Sequence, residues 1–314
     1  TSTPVLLVTR VARHSRIRVL TETALSSQSG RPGAFHSILQ RGGNGATEQI
    51  RLDHGVTILA TGGLPYAGGE YLLGQTSKAI TQLDLERILA EEPARAANFK
   101  EIVMIQCVGR DEVQDSPCSR ICCTGAITNA IKLKQLNPAC RVYILNRDVM
   151  TYGPREKYYT EARSQGILFL RYKPEEKPIV TQQGEQVTVT IYEPALHEKL
   201  TLKPDLLVLS VVTRPAADTA NLASRLGLAL APDGFFQEAH TKMRPSEFVQ
   251  PGIYVAGLAH YPKFVEDTIA QAQAAAAQAL QLIGHGPVQV GGLVAKVTPE
   301  KCVGCLTCVR ICPY

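Results

Sequence analysis

Tryptophan is absent from this 314-residue chain, and the aromatic residues together make up only 6% of it. So few rings leave little material for a surface on which nucleic acid bases could stack. The net charge is only +5, and the lysines and arginines form no basic stripe, so we expect no nucleic acid partner. No apolar run reaches the roughly 20 residues of a membrane-spanning helix, so we expect no transmembrane segment.

The chain also lacks an initiating methionine and a targeting segment. We therefore expect an internal or C-terminal piece of a longer polypeptide, with the adenosine-binding part of any cofactor domain in front of it. The dinucleotide fingerprint G-x-G-x-x-G is missing as well. After the strand predicted at 101–106, the turn offers Gly109 alone. Because glycines let the backbone approach a pyrophosphate closely, we expect no nicotinamide dinucleotide at that turn.

Cysteine is the residue type that carries the strongest pattern. Four cysteines near the C-terminus, Cys302, Cys305, Cys308 and Cys312, have the bacterial ferredoxin spacing C-x2-C-x2-C-x3-C-P. The spacing favours a [4Fe–4S] cluster over a disulfide knot. In two-cluster ferredoxins the fourth cysteine of a run ligates the other cluster, so Cys312 has two possible roles.

A second group of cysteines, Cys107, Cys118, Cys122 and Cys123, follows the strand predicted at 101–106. The last two open a predicted helix, and a helix N-terminus favours the negative charge of thiolates. The group predicts a second [4Fe–4S] cluster. The spacing C-x10-C-x3-C-C leaves a zinc site, buried thiols and a redox disulfide between the vicinal pair as alternatives.

Periodicity predicts an α/β fold. Apolar strands at 101–106, 141–145 and 167–171 alternate with helices at 119–136 and 154–165. This βαβαβ order indicates a parallel sheet covered on both faces. Other expected elements are a strand at 17–21, a hairpin around 42–45, a helix at 79–93, a meander at 178–202, strands at 205–212 and 251–257, and a helix at 267–283.

Two strands end in glycine turns, at Gly62 and at Gly257. Together, flanking the α/β lobe, these turns are typical of flavoproteins with two dinucleotide domains. Asp267 is expected to cap the following helix, and Lys263 is either a charge that tunes the flavin or an ordinary surface lysine. The predicted FAD contacts are Thr61, Gly62, Gly257, Lys263, Asp267, Thr268 and Ile269.

These residues resemble the A subunit of heterodisulfide reductase and its relatives, including quinone-interacting ones. Cys107 and the Cys-Ser-Arg-x-Cys-Cys motif are the most specific part of the resemblance. A lysine is common in the family five residues beyond the vicinal cysteines, and Thr128 stands there in this chain, which argues against electron bifurcation. The matching stretches are 105–110, 118–123, 234–240, 253–257, 262–263 and 267–271, together with the terminal cysteine run.

The resemblance implies a thioredoxin-reductase-like, two-lobe FAD/NAD(P)-type fold with a C-terminal ferredoxin-like segment. The implied division is 1–97 and 204–284 for the FAD domain, 98–203 for a former nicotinamide lobe that holds a cluster, and 285–314 for a linker and the start of a ferredoxin-like domain.

The implied function is that of an oxidoreductase subunit with FAD and [4Fe–4S] clusters, in which no side chain need act as acid or base. Its implied partners are other subunits of a heterodisulfide reductase-like complex and ferredoxin, hydrogenase or dehydrogenase-type electron donors. The implied location is cytoplasmic, with any membrane contact made through partners. Two alternatives are a dithiol–disulfide reductase that uses Cys122 and Cys123, and a non-catalytic subunit that only conducts electrons.

Overall fold

The computed structural model describes residues 3–43, 46–110, 118–284 and 295–311. The helices are α1 (Thr3–Arg13), α2 (Gln82–Glu91), α3 (Pro93–Ala97), α4 (Cys122–Leu136), α5 (Glu156–Ser164), α6 (Thr219–Leu226), α7 (Val265–Ile283) and α8 (Thr307–Ile311). The strands are β1 (Thr23–Arg31), β2 (Ala34–Gly43), β3 (Ala46–His54), β4 (Thr57–Leu59), β5 (Gly63–Pro65), β6 (Ala79–Thr81), β7 (Glu101–Val108), β8 (Arg141–Asn146), β9 (Leu168–Arg171), β10 (Ile179–Gln183), β11 (Gln186–Glu193), β12 (Glu198–Leu202), β13 (Leu206–Val211), β14 (Thr213–Pro215) and β15 (Ile253–Val255).

A five-stranded parallel sheet forms the α/β lobe, with the strand order β6-β13-β7-β8-β9. Its central strands β7 and β13 are buried almost throughout, as strands covered on both faces must be. The parallel sheet predicted from the alternation of strands and helices is therefore confirmed. Because β6 and β13 also belong to it, the sheet extends beyond residues 98–203.

The two faces of this sheet are covered differently. Helices α2, α4 and α5 pack on one face, where α4 contributes buried residues four positions apart, such as Ala126 and Ala130. The antiparallel sheet β10-β11-β12 covers the other face through the alternating buried side chains Val187, Val189 and Ile191 of β11. This sheet is the meander that the sequence predicts at 178–202.

Two short sheets and a hairpin sheet make up the rest of the fold. Strands β4 and β15 run parallel, β5 pairs with β14, and β1, β2 and β3 form an antiparallel sheet. Beside them lies a core around Phe236 and Phe248, whose rings meet edge to face with centroids 5.7 Å apart. This arrangement places the ends of β4 and β15 side by side.

Several sequence predictions need correction. The strand expected at 17–21 is wrong, because the first ladder begins at Thr23, opposite Arg41. The helix expected at 79–93 is preceded by β6, and α6 was not predicted at all. The hairpin of β2 and β3 is confirmed, although its tip at 44–45, like most of the expected linker at 285–297, lies outside the described residues. Among the described helices, none combines the length and apolarity needed to cross a bilayer.

Candidate functional site

The two predicted glycine turns lie next to each other. Strands β4 and β15 are paired in register, Leu59 opposite Val255, and the N–H of Ala256 donates to the carbonyl of Leu59 over 2.9 Å. The chain then turns at Gly62 with φ +76° and at Gly257 with φ +70°, in the left-handed region that favours glycine. Both turns therefore lie at the carboxyl ends of parallel strands, where α/β proteins bind ligands.

The surroundings of these turns fit a dinucleotide cofactor. A Cβ added to Gly62 would meet nothing within 4 Å, so the backbone there borders open space. Behind Gly257, α7 begins at Val265 without a side-chain cap, and the Oγ1 of Thr268 in its first turn is buried with no hydrogen-bond partner in the structure. A phosphate or flavin oxygen at this helix N-terminus would satisfy such groups.

The remaining predicted FAD contacts have mixed outcomes. The prediction that Asp267 caps the helix is wrong, because the N-cap is Phe264 and Asp267 lies exposed in the first turn. Thr61 is exposed beside Gly62, and Ile269 is 52% exposed on α7. These side chains are therefore available at the surface next to the turns, and their contact with FAD stays a prediction.

Lys263 is not an ordinary surface lysine, because only 7% of it is exposed. Its ammonium donates to the carbonyl of Gly257 over 3.0 Å, to Oε1 of Gln271 over 2.5 Å and to Nδ1 of His260 over 3.2 Å. Burial lowers the pKa of Lys263 from 10.5 to about 8, against the opposing charges of Asp267 and Glu238. A desolvated positive charge thus lies directly behind the Gly257 turn.

A buried histidine supports this lysine. Nδ1 of His260 also receives the side-chain amide of Gln271 over 2.7 Å, so it acts as an acceptor and leaves the Nε2–H to donate to Glu238 over 2.9 Å. Burial lowers the pKa of His260, and the nearby Lys263 ammonium adds to this effect. For Glu238, burial raises the pKa, but the bond from His260 and its other hydrogen bonds outweigh burial and lower it. The network therefore consists of a neutral imidazole between a carboxylate and an ammonium.

The internal cysteines lie at the topological switch point of the five-stranded sheet. From β7 the chain proceeds to β8 and β9 on one side and returns as β13 on the other, so a crevice opens between the ends of β7 and β13. Cys107 lies at the end of β7. The Sγ of Cys122 is 3.8 Å from the carbonyl of Val211, at the end of β13, and Cys123 follows it in the first turn of α4.

The loop that carries Cys118 is fixed to the same edge. The N–H of Thr213, the first residue of β14, donates to Oγ of Ser119 over 3.0 Å. The N–H of Arg120 donates to Sγ of Cys118 over 3.3 Å, and Arg120 has φ +63°. The structure therefore brings Cys107, Cys118, Cys122 and Cys123 to one crevice, and their binding of a cluster stays a prediction.

These thiols are close enough to influence one another electrostatically. Burial raises the pKa of Cys122 to about 12, and the neighbouring cysteines add to that rise. Burial also raises the pKa of Cys123 to about 11. The pKa of Cys107 is raised first by burial and then by the nearby Cys118. Four thiolates in this crevice need a compensating positive charge, which a bound metal centre supplies.

The positions of the four cysteines bear on the zinc site and the vicinal disulfide that the spacing leaves as alternatives to a cluster. Within the four described ranges, no three His, Cys, Asp or Glu side chains are arranged to hold a single metal ion. A cubane spreads its four ligands over four irons, so its thiolates lie farther apart than those of one ion. The vicinal thiols approach different carbonyls, Cys122 that of Val211 and Cys123 that of Asp148, and both are free rather than bonded in a disulfide.

Gly109, in the described start of the turn after β7, is covered by other groups. The ring of Tyr66 packs on Gly109 so tightly that a Cβ there would come within 2.5 Å of it. The N–H of Gly109, which could have faced a phosphate, donates instead to the carboxylate of Glu70 over 3.1 Å. The side chain of Arg214 donates to the carbonyl of Gly109 over 2.8 Å. The backbone of Gly109 is thus engaged on three sides, by a ring, a carboxylate and a guanidinium.

The C-terminal cysteines belong to a separate, exposed segment. Cys302, Cys305 and Cys308 are exposed, and Gly304 between the first two has φ +69°, which allows the tight loop. Hydrogen bonds from the side chain and backbone of Thr307 lower the pKa of Cys305. Cys312 lies outside the described residues, so its role stays a prediction.

Sequence reasoning did not single out Glu238, His260 or Tyr261. Glu238 lies inside the matching stretch 234–240, and the other two immediately precede the Pro-Lys pair, but nothing in their spacing indicates a shared network. Thr128 was noted for the lysine it replaces. Its hydroxyl donates back to the carbonyls of Thr124 and Gly125 at 3.0 Å each, inside α4, and as an uncharged group it cannot stand in for the lysine ammonium.

Comparison with known proteins confirms the sequence resemblance. The family described as 4Fe-4S binding domain matches residues 295–314. The chain is 36% identical over 286 residues to the iron-sulfur A subunit of CoB–CoM heterodisulfide reductase from Methanocaldococcus jannaschii, covering 85% of this chain and 43% of that protein. It is 35% identical over 289 residues to a corresponding protein of Methanopyrus kandleri, with the same two coverages. The chain thus spans less than half the length of these relatives.

Solved structures confirm the expected fold class. The structure of T. acidophilum thioredoxin reductase superposes with a TM-score of 0.52 at 17% identity, covering 88% of this chain and 77% of that one. Reduced Bacillus anthracis CoADR-RHD superposes with a TM-score of 0.52 at 16% identity, covering 92% of this chain and 48% of that one. The likeness at such low identity concerns the fold alone.

Proposed function

The chain belongs to the family of heterodisulfide reductase A subunits, and we propose that it is the part of an oxidoreductase subunit in which FAD and an internal [4Fe–4S] cluster lie next to each other. The observation that carries the proposal is the position of the four internal cysteines. They gather at the switch point of the lobe, where doubly wound folds bind a dinucleotide, while Gly109 in the adjoining turn is covered by Tyr66 and bonded to Glu70.

FAD would lie against Gly62, Gly257 and the start of α7. The open space at Gly62, the uncapped helix N-terminus and the buried Oγ1 of Thr268 support this position. When bound, the flavin supplies two-electron chemistry and the clusters supply one-electron steps. The Lys263 ammonium, held by the carbonyl of Gly257, would present positive charge to the cofactor from behind the turn.

Cys107, Cys118, Cys122 and Cys123 would hold the internal cluster, with sulfur–iron distances of about 2.3 Å by analogy with other metal–thiolate bonds. Burial of these thiols, which raises the pKa of Cys122 and Cys123, makes an unligated thiolate costly and a metal-bound one favourable. The ferredoxin-like run at Cys302, Cys305 and Cys308, with Cys312 beyond the described part, would carry electrons onward.

Partners follow from the names of the relatives. The related protein of Methanococcus maripaludis, 34% identical over 286 residues, is a subunit of an H2/formate:CoB–CoM heterodisulfide, ferredoxin reductase. We expect this chain likewise to work within a multi-subunit complex of the cytoplasm, with ferredoxin, hydrogenase or dehydrogenase-type donors.

The test is anaerobic purification of the full-length protein, followed by a visible spectrum and by iron, zinc and flavin analysis. We expect releasable FAD together with broad iron–sulfur absorption. Iron–sulfur absorption without releasable flavin would refute the FAD position. Stoichiometric zinc, or a disulfide between Cys122 and Cys123 with no internal cluster, would refute the assignment of the four cysteines.

A further inference from the structure

One aromatic ring contacts a cation from each of the two proposed cofactor sites. The ammonium of Lys263 is 4.0 Å from the centroid of the Tyr261 ring, and the guanidinium carbon of Arg120 is 5.3 Å from the same centroid. Both distances fall within the range of cation–π contacts. Tyr261 itself is half-buried and immediately precedes the Pro-Lys pair.

Each of these cations belongs to a different site. Arg120 lies between two cysteines of the internal group, and its own N–H donates to Sγ of Cys118 over 3.3 Å. Lys263 holds the carbonyl of Gly257, whose turn we assign to FAD, over 3.0 Å. Movement of charge at either site therefore acts on a cation that contacts the same ring.

The Tyr261 ring affects how strongly the two cations interact. Arg120 and Lys263 are like charges that repel each other, and the negative face of the ring offsets part of that repulsion. In a partly desolvated site the interaction is stronger than in water. A positive charge held near a redox centre stabilises its reduced, more negative form and so raises its midpoint potential.

We infer that Tyr261 is a positioning residue that holds Arg120 and Lys263 between the internal cluster and the flavin, so that the charge at one site shifts the redox potential of the other. The inference rests on the proposed function. It requires only the ring, so the phenol hydroxyl is dispensable.

A double-mutant cycle tests it at the flavin. The flavin midpoint potential is titrated at pH 7 in the full-length protein, in variants that retain FAD and iron by absorbance: Arg120→Gln, Tyr261→Leu, both together, and Tyr261→Phe with and without Arg120→Gln. We expect Arg120→Gln to lower the potential in the wild-type and Tyr261→Phe backgrounds, and to lower it much less in Tyr261→Leu. An equal shift in all three backgrounds overturns the inference.

The reciprocal measurement covers the case in which Arg120→Gln loses iron. Lys263→Met should then lower the potential of the internal cluster, followed by electron paramagnetic resonance, in the wild type but not in Tyr261→Leu. An unchanged cluster potential in the wild-type background overturns the inference. Arg163→Gln, which removes a guanidinium 5.7 Å from the ring of Tyr159, is the matched control and should move neither potential. Absence of FAD or internal iron from the wild type would instead contradict the proposed function.

Discussion

Replacing Lys263 with methionine should remove a pH dependence of stability that the wild type shows. Methionine keeps most of the length of the side chain and removes its charge. The folded pKa of this buried lysine is about 8, against 10.5 for the ordinary value. The unfolded chain therefore binds more protons than the folded chain between these two values, and stability rises with pH across that window.

The magnitude follows from the size of the shift. Each pKa unit corresponds to about 1.4 kcal/mol, so the free energy of unfolding should rise by about 2–3 kcal/mol between pH 7 and pH 10 through Lys263. The charges of Asp267 and Glu238 raise the pKa of Lys263, whereas the charge of Arg120 lowers it, and His260 contacts the ammonium directly. Every variant in the comparison therefore keeps these four residues.

The slope with pH is more informative than the stability at one pH. Lys263→Met removes the cost of burying a charge but also removes a charged donor from the carbonyl of Gly257, which keeps only the N–H of His260, at a cost of about 1–3 kcal/mol. These two effects oppose each other at pH 7. The carbonyl effect does not titrate, so the difference in slope isolates the lysine.

The assay is anaerobic urea unfolding of wild type and Lys263→Met at pH 7 and pH 10, followed by circular dichroism. Titrating thiols act in both proteins and cancel in the comparison. Lys132→Met, on the exposed face of α4, is the matched control and should keep the wild-type slope. Parallel slopes for wild type and Lys263→Met would show that Lys263 is solvated and that the buried network is wrong.

Three further predictions concern the cofactors. Cys107→Ser should lose about four irons per chain, whereas Cys140→Ser, which alters a buried cysteine outside both groups, should keep the iron content; equal iron in both variants would contradict the ligand assignment. Gly257→Ala should cost about 1–2 kcal/mol of stability and weaken FAD binding, because φ is +70° and the new Cβ would lie 3.2 Å from a methyl group of Thr268. Gly42→Ala places its Cβ in open space and should do neither. Unchanged FAD retention in Gly257→Ala would refute the placement of FAD against the Gly257 turn. NADH or NADPH, mixed anaerobically with the isolated full-length protein, should not bleach the flavin, because Gly109 after β7 is covered by the ring of Tyr66 and bonded to the carboxylate of Glu70; fast stoichiometric bleaching would reveal a nicotinamide site.

Local patterns in the sequence were sufficient for the features that depend on neighbours along the chain. The spacing of Cys302, Cys305 and Cys308 is local, and so is the alternation of apolar strands and helices that predicted the parallel sheet. The absence of fingerprint glycines after β7 also needs no tertiary information, because the requirement for close backbone approach applies to the turn itself. The resemblance rested on the same short motifs.

The surroundings of individual side chains depend instead on the tertiary structure. Lys263 could have been a surface lysine, and only packing against His260 and Gln271 shows that it is buried. Asp267 has the chemistry of a cap, but α7 begins two residues before it, so its carboxylate cannot fill that role. The contact of Tyr261 with Arg120 could not be predicted from the sequence, because the two residues lie far apart along the chain. Local pattern limits what a segment can form, whereas contacts between distant segments determine which charges are desolvated and which rings they meet.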